Sequence, residues 1–170
     1  MGTDKLVFYI IGGITVLLLV LIVLFSINEG KQSQAASNIT SYRANDKEKP
    51  EASVSSFFSD LGNMNVKDEK SAEFTIVNNG LKPLSLFKIS SSCDCTYGQI
   101  TIDGKVSPEF SMHSKNPWVG TIAPGKKATL SVIYRPFIMP VKGEVSRDVF
   151  METNDPNNPR LNFTVKANVN

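Results

Sequence analysis

The chain of 170 residues has few side chains suited to chemistry: two cysteines, Cys93 and Cys95, and one histidine, His113. Residues two apart on an extended strand point to one face, so the two sulfurs are expected side by side. A local disulfide is one use of such a pair. An extended strand holds the two Cα atoms roughly 6.6 Å apart, near the upper limit for a bridge, so the backbone would have to bend. A soft metal is another use. Two thiolates make half of a tetrahedral zinc site or most of a Cu(I) site. His113 and Met112 would supply the remaining ligands, with Asp94 on the opposite strand face. An exchangeable redox pair is a third use; it needs a lowered thiol pKa, and Lys88 and Lys105 are the candidate helpers. The fourth is packing alone, with small half-buried thiols at a strand end and Ser92 and Thr96 bonding the local backbone.

Other reactive groupings are missing. One histidine rules out schemes built on a His pair, and no Ser/His/Asp order, phosphate loop or paired-carboxylate motif stands out. The chain is therefore expected not to be an enzyme, and no small-molecule substrate is inferred. No cofactor is expected, with copper or zinc at the cysteines as the alternative. His113 taken alone is a solvated loop side chain. Trp118, next to Pro117, is expected to plug the core or anchor a loop.

The elements that position these residues are strands. Ala72, Phe74 and Ile76 alternate with polar neighbours and end at the turn Asn78-Asn79-Gly80. Leu84 and Leu86 begin a strand that runs through Ile89 towards the cysteines. Leu130, Val132 and Tyr134 follow the turn Pro124-Gly125, and Val145, Arg147, Val149 and Met151 share one face of a later strand. Leu161, Phe163, Val165, Ala167 and Val169 alternate strictly with Asn162, Thr164, Lys166 and Asn168, the pattern of a half-buried antiparallel strand. Short strands separated by turns such as Asn154-Asp155-Pro156 predict an all-β, immunoglobulin-like antiparallel sandwich over residues 52–170.

The order of motifs in this stretch resembles a known family. Asp60-Leu61-Gly62, Phe74 to Leu84, Cys93-Asp94-Cys95-Thr96, Ala123-Pro124-Gly125 and Thr153-Asn154-Asp155-Pro156 follow the pattern of the bacterial domain-of-unknown-function family fifteen-seventy-three. That family is similar to the hydin, major-sperm-protein and PapD group of immunoglobulin-like sandwiches. The resemblance covers about residues 53–169 and implies an exported domain with no general activity. Two departures stand out. Asp94 occupies the position where the family has Gly, and Tyr97–Thr121 is longer than expected, with Ile100–Val106 resembling an added hairpin. Added loops on a sandwich are common sites of binding specificity.

Upstream, Leu6–Ile27 is a run of 22 residues without charge. As a helix it spans roughly 33 Å, enough for a hydrocarbon core of about 30 Å. The small-residue triplet Ser33-Gln34-Ala35 lies well past its end, and the run exceeds a signal-peptide core, so an uncleaved anchor at residues 1–27 is expected. Residues 28–51 are polar, without period, and read as a flexible linker. Basic and acidic residues, 18 and 16, are scattered, which excludes the basic stripe of a nucleic-acid protein. The expectation is a single-pass membrane protein whose C-terminal domain lies outside the cytoplasm, at the periplasmic side or cell surface. It would act as a binding or assembly module for an envelope or membrane protein, through a strand edge or the Tyr97–Thr121 loop.

Overall fold

The computed structural model describes residues 12–20 and 39–170. The chain divides between residues 38 and 39 into two units. Residues 12–20 are α-helical, and the Thr15 hydroxyl donates to the Gly12 carbonyl at 2.9 Å. The remainder of the predicted anchor at residues 1–27, and the predicted linker up to residue 38, lie outside the described residues. No helix among the described residues is long and apolar enough to cross a membrane.

The second part is a sandwich of two five-stranded sheets. Its strands in chain order are β1 (Ala52–Val54), β2 (Phe58–Met64), β3 (Lys70–Asn78), β4 (Leu84–Ser91) and β5 (Thr96–Ile102). They continue with β6 (Lys105–Val106), β7 (Val119–Ile122), β8 (Lys127–Tyr134), β9 (Gly143–Thr153) and β10 (Arg160–Val169). Sheet one runs β1-β3-β8-β5-β6 and sheet two runs β2-β10-β9-β4-β7. The alternating residues decide which face is buried. Phe74 and Ile76, Leu130 and Val132, Val149 and Met151, and Phe163 and Val165 all join one core between the sheets. Burying each such side chain contributes roughly 1.5–3 kcal/mol, which is why the period of two sets the register.

Three predicted features change in the folded chain. The sandwich is not wholly antiparallel, because β2 pairs in parallel with β10. A strand that enters after a crossover, with no hairpin joining it to its neighbour, is free to pair in that sense. The segment beginning at Tyr97 is not all added loop either. Residues 96–102 form β5, paired along its length with β8, and Ile100 is fully buried. The expected hairpin is present as β5 and β6, turning at Asp103 and Gly104, both at positive φ. Finally, the second half of the predicted linker is laid on the sandwich. The Lys49 carbonyl accepts from Leu81 N–H at 3.0 Å, and the Glu51 carbonyl from Asn79 N–H at 2.9 Å. Pro50 is buried there. A polar stretch without period can still dock, because its backbone supplies the hydrogen bonds.

Candidate functional site

β4 belongs to sheet two and β5 to sheet one, so the chain must cross the sandwich between Ser91 and Thr96. The crossing is made by a tight turn containing both cysteines. Thr96 N–H donates to the Cys93 carbonyl at 3.3 Å, and the Ser91 hydroxyl donates to the same oxygen at 2.7 Å. This turn draws the two Cα atoms to 5.2 Å, and Cys93 and Cys95 form a disulfide. The strand geometry expected for the pair is therefore replaced by turn geometry, and the bending that a bridge requires is supplied by the crossover itself. Both cysteines are buried in a second, smaller core with Met64, Tyr134, Ala167 and Val169.

The predicted metal ligands are not assembled around these sulfurs. Each sulfur is bonded to the other, so neither is a thiolate in this structure. His113 Nε2 lies 3.6 Å from Asp94 Oδ2, the carboxylate at the centre of the turn. That contact exists because Asp94 sits in a turn, where strand alternation no longer dictates its direction. Met112 is half exposed, and among the described residues no group of three or more His, Cys, Asp or Glu is arranged to hold a metal ion. Lys88 is engaged elsewhere, in an ion pair with Glu152 at 2.8 Å, and Lys105 lies on β6. Lys88 itself adopts positive φ at the bulge where β4 slips register against β9.

The turn is tied to its surroundings through its backbone. The Cys95 carbonyl accepts from Arg135 N–H at 2.8 Å, and Ser92 N–H donates to the Asp148 carbonyl at 2.9 Å. The Arg135 guanidinium makes a two-pronged contact with Glu109 at 2.7 and 2.8 Å, bonds Glu69, and lies over the Tyr97 ring. Hydrogen bonding from Arg135 holds the Glu109 carboxyl below its ordinary value, burial working the other way. Beyond Arg135 the loop to β9 displays Phe137, Ile138, Met139 and Val141, all exposed. This end of the sandwich thus combines a bridged turn, an ion-pair cluster and an apolar tip.

The opposite end holds polar residues whose roles were not read from the sequence. Asn78 is fully buried; its amide donates to the carbonyls of Lys82 and Ile122, and its oxygen accepts from Gly80 and Glu51 N–H. The fully buried Asp155 accepts from Ala52 N–H, Asn157 N–H and the Asn158 amide, each at 2.9 Å. Asn154 accepts from Ser85 N–H at 2.8 Å and donates to the Pro83 carbonyl. The Asn-Asn-Gly and Thr-Asn-Asp-Pro motifs are thus clasps for turns and for the docked N-terminal segment. Only their turn chemistry was visible in the sequence; which backbone groups they hold depends on the fold.

A shallow groove of about 290 Å³ opens at the side, between the β5–β6 hairpin and β7. Trp118 packs on the main core there, with Phe110 at 5.5 Å between ring centroids, as expected for a plug.

Residues 50–168 match the family described as the HYDIN/CFA65/VesB-like, Ig-like domain. Among solved structures, the chain is similar to a protein of unknown function from Porphyromonas gingivalis W83, with 20% identity and a TM-score of 0.56 over 71% of this chain and 47% of that one. It is also similar to a family 123 glycoside hydrolase from Clostridium perfringens, with 11% identity and a TM-score of 0.50 over 72% of this chain and 27% of the hydrolase. The chain spans about half the length of the first and about a quarter of the second. At these identities the likeness is one of fold. No curated protein matches the chain.

Proposed function

The chain belongs to the HYDIN/CFA65/VesB-like immunoglobulin-like domains, and from that premise we propose that it is a non-catalytic binding or assembly module held at a membrane. The supporting observation is how its side chains are used. Cys93 and Cys95, the residues best suited to chemistry, are buried in a bridge, and of the other two candidates His113 lies beside Asp94 and Met112 is exposed, while the turn residues Asn78 and Asp155 are buried and hold the fold together. What is left exposed is apolar surface, at Phe137–Val141 and in the side groove. Contiguous exposed apolar surface of this kind marks a place of contact. The uncharged run Leu6–Ile27 supports a single-pass anchor, with the domain outside the cytoplasm and an envelope or membrane protein as partner. The narrower likeness to family fifteen-seventy-three rests on the same five motifs in the same order.

The test is fractionation followed by purification. The full chain is expected to stay in membranes washed with alkaline carbonate, and its domain to be digested by protease added outside intact cells or spheroplasts. Gentle detergent extraction is expected to recover it with a stoichiometric partner. A carbonate-soluble chain, or a lone monomer in several detergents, would overturn the proposal.

The bridge favours one second role, a thiol–disulfide couple at Cys93 and Cys95; copper or zinc would require the bridge to be opened first. Graded reduction followed by alkylation and metal analysis tests it. No reaction at the midpoint of the envelope's thiol buffers, and no bound metal after reduction, would exclude it.

A further inference from the structure

β7 ends sheet two, with β4 on one side and no strand on the other. In an antiparallel pair, alternate residues turn their N–H and C=O towards the partner and the others turn away. The outer side of Val119–Thr121 therefore presents backbone donors and acceptors in strand geometry, the Ile122 carbonyl being held by the Asn78 amide. The groove lies directly beside this edge, lined by Ile102, Val106, Trp118 and Gly120 among others. Val106 is 60% exposed. Trp118 packs closely over Gly120: a Cβ there would fall 2.2 Å from its ring, and the indole occupies the space that a side chain would take. Asp103 and Lys105 stand on its rim, and neither is in an ion pair among the described residues.

We propose that the β7 edge and this groove bind an extended segment of another protein, which adds as a strand to sheet two and seats one apolar side chain beside Val106. The backbone edge accepts only an extended chain, and the groove selects its side chain, the division of labour in strand addition. Four residues make about 13 Å of strand, so two such edges paired fall short by themselves of the roughly 800 Å² per partner of a stable dimer, whereas a single extended segment fills the groove besides the edge. The opposite charges on the rim balance, so the segment is uncharged where it crosses the groove. This inference rests on the domain being a binding module and names the surface and the class of partner.

The probe is a ten-residue peptide of alternating Val and Thr, capped with lysines for solubility, added to the isotope-labelled full chain in detergent micelles. Amide shifts and slowed exchange are expected at Val119–Ile122, together with a shift of the Trp118 indole N–H. The same peptide N-methylated at alternate residues is expected not to bind, and Val106→Lys to weaken binding at least about tenfold. Because Val106 is exposed, that variant should fold, which unchanged spectra elsewhere would verify. An unperturbed β7 at millimolar peptide, equal binding of the N-methylated form, or an unaffected Val106→Lys chain would each overturn the assignment. A natural partner that co-purifies equally with Val106→Lys would remove the β7 edge while leaving the binding module intact. The two proposals thus fail separately.

Discussion

Arg135 joins three segments that are remote in sequence, through Glu69, Glu109 and the Tyr97 ring, while its N–H holds the Cys95 carbonyl. The Glu109 carboxyl is held below its ordinary value of 4.5, chiefly by hydrogen bonding from Arg135. A folded-state pKa below the unfolded one gives stability that is present above the ordinary value and lost as pH falls through the lowered one. Glu109→Gln should therefore destabilise the domain by about 0.5–1 kcal/mol near neutral pH, with the gap to the parent chain closing in acid as pH falls through the lowered carboxyl value. Urea titrations at the two pH values check this; a gap that widens in acid would refute it. The cysteine bridge spans only one intervening residue, and the chain-entropy account assigns so small a loop about 1–2 kcal/mol. Reduction should lower the urea midpoint by no more than that allows. A loss above about 4 kcal/mol would mean that the bridge is the main staple of the smaller core.

The turn between β3 and β4 and the docked segment ahead of β1 form one element in practice. A Cβ at Gly80 would lie 2.3 Å from the Lys49 carbonyl oxygen and 2.4 Å from the Glu51 nitrogen, so any side chain there pushes backbone against backbone. Gly80→Ala should detach residues 40–51 and speed tryptic cleavage after Arg43 and Lys47, at about 1–3 kcal/mol of stability. Trypsin resistance equal to that of the parent chain would show that the contact is dispensable. Asp155 has the larger effect at the same end. Its carboxylate satisfies two backbone N–H groups and one amide while fully buried, and Asp155→Ala leaves both N–H groups without partner and the Asn158 amide with only its 3.5 Å bond to the Ala52 carbonyl. Calorimetry should record a loss of about 2–4 kcal/mol, with Asp155→Asn intermediate. Losses below 0.5 kcal/mol, the scale of an ordinary surface change, would contradict the clasp.

At the scale of the whole chain, the division at residue 38 predicts independence of the two parts. The polar bonds of Asn78, Asn154 and Asp155 are made within residues 39–170, as is the core. Removing residues 1–38 should leave the domain's melting temperature within about 2 °C and move it from the membrane fraction to the soluble one. A domain that unfolds on truncation would show that the upstream segment contributes to the sandwich. Edge management follows the same economy of length. β1 and β6 are very short, and β2 is interrupted by a register shift and by Gly62 at positive φ. These devices discourage strand addition. β7 is also short, at four residues, but it carries neither a register shift nor a positive-φ residue and lies beside a groove, which is why the proposed strand addition is assigned to it.

The core strands were legible in the sequence because burial of one sheet face imposes a period of two. Leu161 to Val169 and Phe74 to Ile76 carry it without interruption. β5 was hidden behind its neighbours: Tyr97-Gly98-Gln99 breaks the apolar alternation, yet Gly98 faces Val149, where an added Cβ would lie 2.7 Å from it, so that position excludes any larger residue. The state of the cysteines depended on tertiary structure. Spacing alone places the two sulfurs on one strand face, whereas the demand that the chain pass from one sheet to the other bends Cys93–Cys95 into a turn and makes the bridge possible. Docking of residues 40–51 and the clasps at Asn78 and Asp155 depended on it equally, because hydrogen bonds to backbone carry no sequence period. Local alternation determined which residues form the core; only the path of the chain between sheets decided which polar residues, loops and edges meet.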